Sequence, residues 1–374
     1  MTARGTAPTT AAPGEVTTAA PGAMATAAPV APAPARAGLR AMADLATPMS
    51  IRVGATLGVA DHVAAGATTA TAVAERCGAH APALERLLLH WAWLGLLERA
   101  GAPGTPGTYR LTALGAELRA DHPAGRRDWL DIRGSVGRGD LAFVELLHTV
   151  TTGASAYDAR YGRGFWDDLD QDPGLRASFD ALMRRHVRAD AAGIAEAYPW
   201  HRHRTVVDVA GGDGTLLATV LRAHPALTGV VVELDGPAAR ARATFEAADL
   251  RDRADVVVGS FFDPLPARGD AYVLSAVLHD WDDDDCRRVL GTCRAAMGAD
   301  DRLLVVEAVG GDGESVDPRM DLRMLAFTGG QERGVGELAA LGRAAGLDLV
   351  ATHPVPGRAW MGVVELRPAG TEQP

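Results

Sequence analysis

Apolar positions recur at helical spacing through the first third of the chain. Leu39, Met42, Leu45 and Met49, then Val53, Leu57 and Val59, form stripes of that period, so residues 38–120 read as helices broken by Gly and Pro. Within them Thr69–Arg76 and Ala81–Leu97 read as a helix–turn–helix, and Tyr109-Arg110-Leu111-Thr112 as a short wing strand, together a winged-helix-like unit. Residues 121–200 continue as a helical connector studded with rings at Trp129, Phe143, Tyr157, Tyr161, Phe165, Trp166 and Phe179. Most of these suit a core, and a few suit a cavity for a planar aromatic ligand. From Thr205 the period changes. Short apolar runs near 205–210, 229–233, 254–258, 270–275, 302–307, 347–352 and 360–366 alternate with helical stretches, as a parallel sheet requires. The fold class is therefore α/β: a Rossmann-like doubly wound domain over 201–368, behind an N-terminal helical winged-helix unit.

Composition adds limits. Residues 1–37 are Ala, Pro, Thr and Gly with almost no charge, a makeup that reads as a disordered tail because it buries too little apolar surface to offset its ordering entropy. They show neither an Arg-rich amphipathic pattern nor a continuous apolar stretch, and no run of about 18 apolar residues predicts a membrane span. The net charge of −10 argues against a nucleic-acid surface and suits a small neutral or cationic ligand. The second helix of the winged unit, Pro82 to Trp91, also carries too little positive charge to grip phosphates. Cys77, Cys286 and Cys293 show no CxxC pairing and read as reduced thiols of a cytoplasmic protein. The last two share one helix at core spacing.

The chemistry concentrates in Val206-Val207-Asp208-Val209-Ala210-Gly211-Gly212-Asp213-Gly214-Thr215-Leu216-Leu217, a buried strand running through a glycine turn into a helix. In a doubly wound sheet that turn holds a nucleotide-like ligand. Its glycines permit a sharp bend and bring backbone N–H groups close to that ligand. A second strand, Val230-Val231-Val232, ends in Glu233, placed to hold a ribose diol. A dinucleotide site calls for G-x-G-x-x-G, but Leu217 stands where the third glycine is needed, and Asp213 adds a negative charge that repels a pyrophosphate. A sulfonium cofactor tolerates that charge.

With Gly259-Ser260-Phe261-Phe262-Asp263-Pro264, Leu278-His279-Asp280-Trp281 and Gly329-Gly330-Gln331-Glu332-Arg333 added, residues 38–368 resemble the class I S-adenosylmethionine-dependent O-methyltransferases. The likeness is to the bacterial enzymes acting on aromatic polyketides and to plant caffeate- and flavonoid-type enzymes. It implies that the N-terminal unit forms a homodimer and that the last two strands form an antiparallel edge. It implies that Gly211 and Gly212 pass the methionine end of S-adenosylmethionine, Glu233 binds its ribose, Ser260 and Phe261 flank its adenine, and Ser275 contacts it near the sulfonium. It places His279 as the general base, with Glu307 and Glu332 flanking it. Two positions depart from the pattern: Ser260 replaces a common Asp, and Ala210 replaces a first glycine.

Methyl transfer is an in-line displacement, and the attacking phenol must lose a proton. Phenol at pKa about 10 against free histidine at about 6.5 leaves a gap of roughly 5 kcal/mol, most of which a base acting as the bond forms avoids. A carboxylate on the distal ring nitrogen fixes the tautomer and raises basicity. Rival roles are positioning alone for His279, a surface salt bridge with Arg333 for Glu332, and helix packing rather than pocket lining for Met324, Leu325 and Phe327. Asp280 and the run Asp282–Asp285 read as a charged helix N-terminus rather than a metal site. The reading is thus a homodimeric O-methyltransferase for a phenolic secondary metabolite. Its alternatives are a hydroxylase or decarboxylase of the same fold that keeps the cofactor, and a non-catalytic winged-helix regulator.

Overall fold

The computed structural model describes residues 38–102, 105–266 and 269–370; the segment read above as a tail lies outside them. Among the described residues nine strands fall in chain order: β1 (Leu97–Ala100), β2 (Thr108–Leu111), β3 (Thr205–Val209), β4 (Thr228–Glu233), β5 (Ala254–Val258), β6 (Ala271–Ser275), β7 (Arg302–Ala308), β8 (Leu347–Val355) and β9 (Arg358–Pro368).

In the N-terminal unit, Thr69 caps the helix Ala70–Cys77 by accepting from Ala72 N–H, as Thr residues at that position do. The helix Ala81–Trp93 is shorter than its apolar pattern suggests. Gly95 at φ 76° closes a left-handed stop, with Gly95 N–H on the Ala92 carbonyl and Leu96 N–H on that of Trp91. Leu97–Ala100 is therefore not helix but the partner of β2, antiparallel in the wing. Trp91, fully buried, fills the centre of this unit, so close to Gly54 that a Cβ there would lie 2.0 Å from the indole.

The second sheet has the order β5-β4-β3-β6-β7-β9-β8, parallel from β5 to β7 and antiparallel at β9 and β8. The expected antiparallel edge is present, with β9 inserted between β7 and β8. Both faces of the sheet are buried, so the central strands are continuous apolar runs such as Val206-Val207 and Leu303-Leu304-Val305-Val306. From β3 the chain proceeds to β4 on one side and later to β6 on the other. The carboxyl ends of β3 and β6 thus frame the switch point where such sheets bind ligands.

Helices of the connector close over this edge, the longest being Pro173–Ala197, capped by Asp172. Tyr157, Phe165 and Phe327 form their aromatic core, so Phe327 packs as core, and Trp166 reaches out to lie parallel to Trp281 at 6.5 Å. Asp140 ties three layers together, accepting from Arg52 of the N-terminal unit at 2.5 Å and from Arg323 of the helix Pro318–Phe327 at 2.7 Å.

Ala210, at the end of β3, has φ 59°, left-handed backbone that costs an alanine about 1 kcal/mol and a glycine almost nothing. Ala210→Gly is therefore expected to raise the thermal unfolding midpoint by the equivalent of about 0.5–1 kcal/mol, as read by calorimetry. A lowered midpoint would contradict this account of the turn.

Candidate active site

The candidate cofactor and catalytic residues lie at the carboxyl edge of the sheet or on loops beyond it. Gly211 and Gly212 follow β3, Glu233 ends β4, Ser260 and Phe261 follow β5, Ser275 ends β6, and Glu307 lies near the end of β7. Parallel pairing sets their relative heights: Val232 pairs with Val209, and Ser275 with Val306.

In the glycine turn, Gly212 takes φ 58° and Gly214 takes φ 74°. Gly211 lies so close to Asp208 that a Cβ would be 2.6 Å from its carboxyl carbon. Glu233 Oε2 accepts from Gly212 N–H at 3.0 Å and Oε1 from Leu234 N–H at 2.7 Å, which leaves other lone pairs free. Burial holds the Glu233 carboxyl above its usual range. Asp213 is not an open charge, because Arg184 pairs with it and Thr215 N–H caps it at 3.2 Å. The case against a pyrophosphate therefore rests on the missing glycine and on a residue given no role in the sequence reading. Asp208 is 2% exposed, and neither carboxylate oxygen has a hydrogen-bond partner. Burial, with the charges of Glu233 and Asp213 adding to it, pushes its pKa up to about 7. A buried carboxylate without a partner is expensive. Here it sits directly beneath the glycine turn, suited to a cationic group.

After β5, Ser260 Oγ accepts from Phe262 N–H at 3.1 Å. Phe261 and Phe262 pack edge-on to Trp281, with centroids at 5.7 and 5.1 Å. Trp281 was not singled out as a site residue, although it closes the quoted L-H-D-W motif.

His279 lies in a short 3-10 turn, Leu278–Asp280, after β6. Its Nδ1 meets Glu307 Oε2 at 2.6 Å, while Glu307 Oε1 accepts from Val277 and Leu278 N–H at 3.0 and 2.9 Å. With the Nδ1 proton directed to Glu307, the neutral ring presents Nε2 as a lone pair. Burial of the ring disfavours its charged form, but the charges of Glu307, Asp280 and Glu332 outweigh this and raise its pKa to about 10. Asp280 is not part of the helix start. The helix Asp283–Ala296 is capped by Asp282, whereas Asp280 Oδ1 lies 3.6 Å from His279 Nε2 and has a pKa raised by burial to about 6. Glu332 acts on His279 through its charge, while its carboxylate accepts from Ser315 Oγ. It forms no pair with Arg333, whose side chain turns inward to Asp283. Met324 is buried, and Leu325 lines an open cavity with Gly329, Gly330 and Gln331.

Two family models match the chain: an O-methyltransferase domain over residues 143–348 and an O-methyltransferase dimerisation domain over residues 39–121. The sequence is 52% identical over 332 residues to 2,7-dihydroxy-5-methyl-1-naphthoate 7-O-methyltransferase of Streptomyces carzinostaticus, covering 89% of this chain and 98% of that protein. It is 44% identical over 315 residues to aclacinomycin 10-hydroxylase of Streptomyces purpurascens, covering 83% and 84%. The crystal structure of an O-methyltransferase from neocarzinostatin biosynthesis, with S-adenosyl-L-homocysteine and 1,4-dihydroxy-2-naphthoic acid, matches with a TM-score of 0.85. That match is 52% identical and covers 89% of this chain and 99% of that one.

Asp208 has a stability consequence with a definite sign. Its folded pKa is raised, so its contribution is fully present below pH 3.8 and is lost as pH rises through about 7. The linked cost above pH 7 is on the order of 4 kcal/mol, and Asp208→Asn avoids most of it while leaving an unpaired amide. The ligand-free variant is expected to be more stable than the parent by about 2 kcal/mol at pH 8 and no more stable at pH 4, as read by denaturant unfolding. Equal gains at both pH values would show that the Asp208 pKa is not raised in the fold.

Proposed function

The chain belongs to the O-methyltransferase family, and from that premise we propose that it transfers a methyl group from S-adenosylmethionine to a phenolic hydroxyl of an aromatic, polyketide-type secondary metabolite. The observation that carries the proposal is the 2.6 Å contact between Glu307 and His279 Nδ1, which leaves Nε2 as the ring nitrogen to act as the base.

The crevice fits the cofactor. Asp208 offers an unpartnered carboxylate to a cationic group, in keeping with the methionine ammonium passing over Gly211 and Gly212. Glu233 retains acceptor capacity for ribose hydroxyls, and by the family resemblance Ser260 and Phe261 would flank the adenine and Ser275 would contact the cofactor near the sulfonium. The bound cofactor supplies a methyl on a sulfonium that an oxygen displaces in line. His279 removes the proton of that oxygen at Nε2, and Glu307 holds the ring and stabilises the imidazolium that results. The raised pKa matters here. At about 10 the imidazolium matches a phenol, so the transfer itself is nearly even, and the cost moves to freeing the ring of its proton at lower pH. A nearby sulfonium charge lowers the ring's pKa and so favours the neutral form that accepts the proton.

The acceptor class follows from the relatives named for naphthoates and from the rings of Trp166, Phe179 and Trp281 packed near the crevice. A relative named as a hydroxylase shares 44% identity, so hydroxylation by the same fold is the second reading. The His279–Glu307 pair favours methyl transfer, since hydroxylation has less need of a base at the acceptor oxygen. Exposed Met42, Leu45 and Trp93, each at least 67% accessible, support a homodimer through the matched dimerisation domain. Among the described residues, no helix is long and apolar enough to cross a membrane.

Two outcomes are expected. With a dihydroxynaphthoate acceptor, mass spectrometry should show methyl gain, cut about 10²-fold or more in His279→Ala. In the parent, kcat/KM should rise with pH along a limb near 10, and Glu307→Gln should move that limb to lower pH, because removing the anion lowers the imidazole pKa. A near-parental rate in His279→Ala removes the base assignment, and oxygen gain in place of methyl gain replaces the activity. Separately, light scattering should report a dimer, and Trp93→Asp should shift it toward monomer; a monomeric parent would contradict the assembly.

A further inference from the structure

Arg333 is buried, its side chain 3% exposed, and it points at the turn that carries His279. All three guanidinium nitrogens are engaged. Nη1 donates to the Leu278 carbonyl at 3.0 Å and to the Gln331 carbonyl at 3.2 Å. Nη2 donates to the Trp281 carbonyl at 3.0 Å and to Asp283 Oδ1 at 2.9 Å, and Nε to the same carboxylate oxygen at 3.1 Å. Leu278 and Trp281 bracket His279 and Asp280. The carbonyl of His279 itself is held from the same segment, by Gln331 N–H at 2.9 Å. Gly330 presses against the turn so closely that a Cβ there would lie 2.1 Å from the His279 carbonyl oxygen.

The turn is thus clamped on two sides. Glu307 takes its N–H groups and the ring, and the segment 330–333 takes its carbonyls. A ring fixed only through Nδ1 can still swing with its backbone, and an error of about 1 Å in the position of Nε2 costs roughly 10²-fold in rate. We propose that Arg333 is a positioning residue for methyl transfer, bridging the carbonyls of Leu278 and Trp281 so that His279 Nε2 meets the acceptor oxygen. This rests on the proposed base role of His279. A planar guanidinium suits the task because its fork spans two carbonyls and a carboxylate at once, whereas a lysine ammonium is a single point of donation.

The experiment is a double-mutant cycle with Arg333→Lys and His279→Ala, each with cofactor binding measured by calorimetry. Arg333→Lys should lower kcat by about 10- to 100-fold. KM for acceptor and cofactor should stay near parental values, and the pH limb should not move, because the positive charge is kept. In the His279→Ala background the same substitution should have almost no further effect, since the group it positions is gone. An equal loss in both backgrounds, or a rise in KM with kcat intact, overturns the proposal. A parental rate in His279→Ala alone instead overturns the base role. If Arg333→Lys does not bind cofactor, Asp283→Asn carries the test, since that carboxylate is 55% exposed and the core does not depend on it. It should lower kcat severalfold in the parent and not in His279→Ala; an unchanged parental kcat overturns the proposal.

Discussion

The site depends on one buried carboxylate. Glu307 is 5% exposed and accepts three hydrogen bonds, from the backbone of Val277 and Leu278 and from the ring of His279. Its place follows from the sheet: β6 and β7 pair in parallel with Ser275 opposite Val306, which sets the next residue of β7 level with the chain leaving β6. A carboxylate at that height can satisfy N–H groups that no strand partner reaches, and it still has an oxygen left for the imidazole. Removing it would orphan two buried donors as well as the ring, so its structural and chemical roles cannot be separated by deletion. Substitution by Gln, which keeps an acceptor but not the charge, tests the chemical part more cleanly.

The same edge of the sheet gathers more negative charge than it neutralises. Asp213 has Arg184, and Asp180 has Arg176 and Arg240, but Asp208 has no partner, and Glu233 meets only backbone N–H groups. An anionic crevice of this kind repels a pyrophosphate and attracts a sulfonium and an ammonium. Ser260 fits the balance, since a neutral side chain there adds no further charge to this edge. Its Oγ is already an acceptor for Phe262 N–H, and its own O–H remains to be donated.

Legibility from sequence follows the range of the contacts involved. The glycine turn, the strand ending in Glu233 and the L-H-D-W segment are local patterns, and local patterns survive in one dimension. The pairing of His279 with Glu307 was legible only through resemblance, because the two residues join across neighbouring strands. The wing's first strand was hidden because Leu97-Glu98-Arg99-Ala100 continues a helical apolar period, and Gly95 alone signalled the stop. Asp208 was quoted within its motif without a role, since nothing in the order of residues shows that it lacks a partner. Arg333 enters the sequence reading only in the rival role for Glu332, a surface pair between neighbours, but adjacent side chains on an extended segment point to opposite sides. Its inward direction exists only once residues 278–283 lie beneath it.

Strain marks the same edge. Of the three non-glycine residues with positive φ among those described, Ala210 and Ala276 follow β3 and β6, the two strands that frame the crevice. Each is held by the sheet itself: Ala210 N–H bonds the Val232 carbonyl at 2.9 Å, and Ala276 N–H bonds that of Val306 at 2.9 Å. A left-handed residue turns the chain off the strand axis within one step. At Ala210 that step begins the glycine turn; at Ala276 it begins the turn that presents His279. Side chains other than glycine tolerate such backbone only where their surroundings over-determine it, at about 1–3 kcal/mol each. Both deviations therefore fall where the chain leaves a strand, one on the glycine-turn side of the crevice and one on the His279 side. The rigid sheet that holds them also fixes the distance between the two sides, and an in-line displacement depends on that distance more than on any single contact.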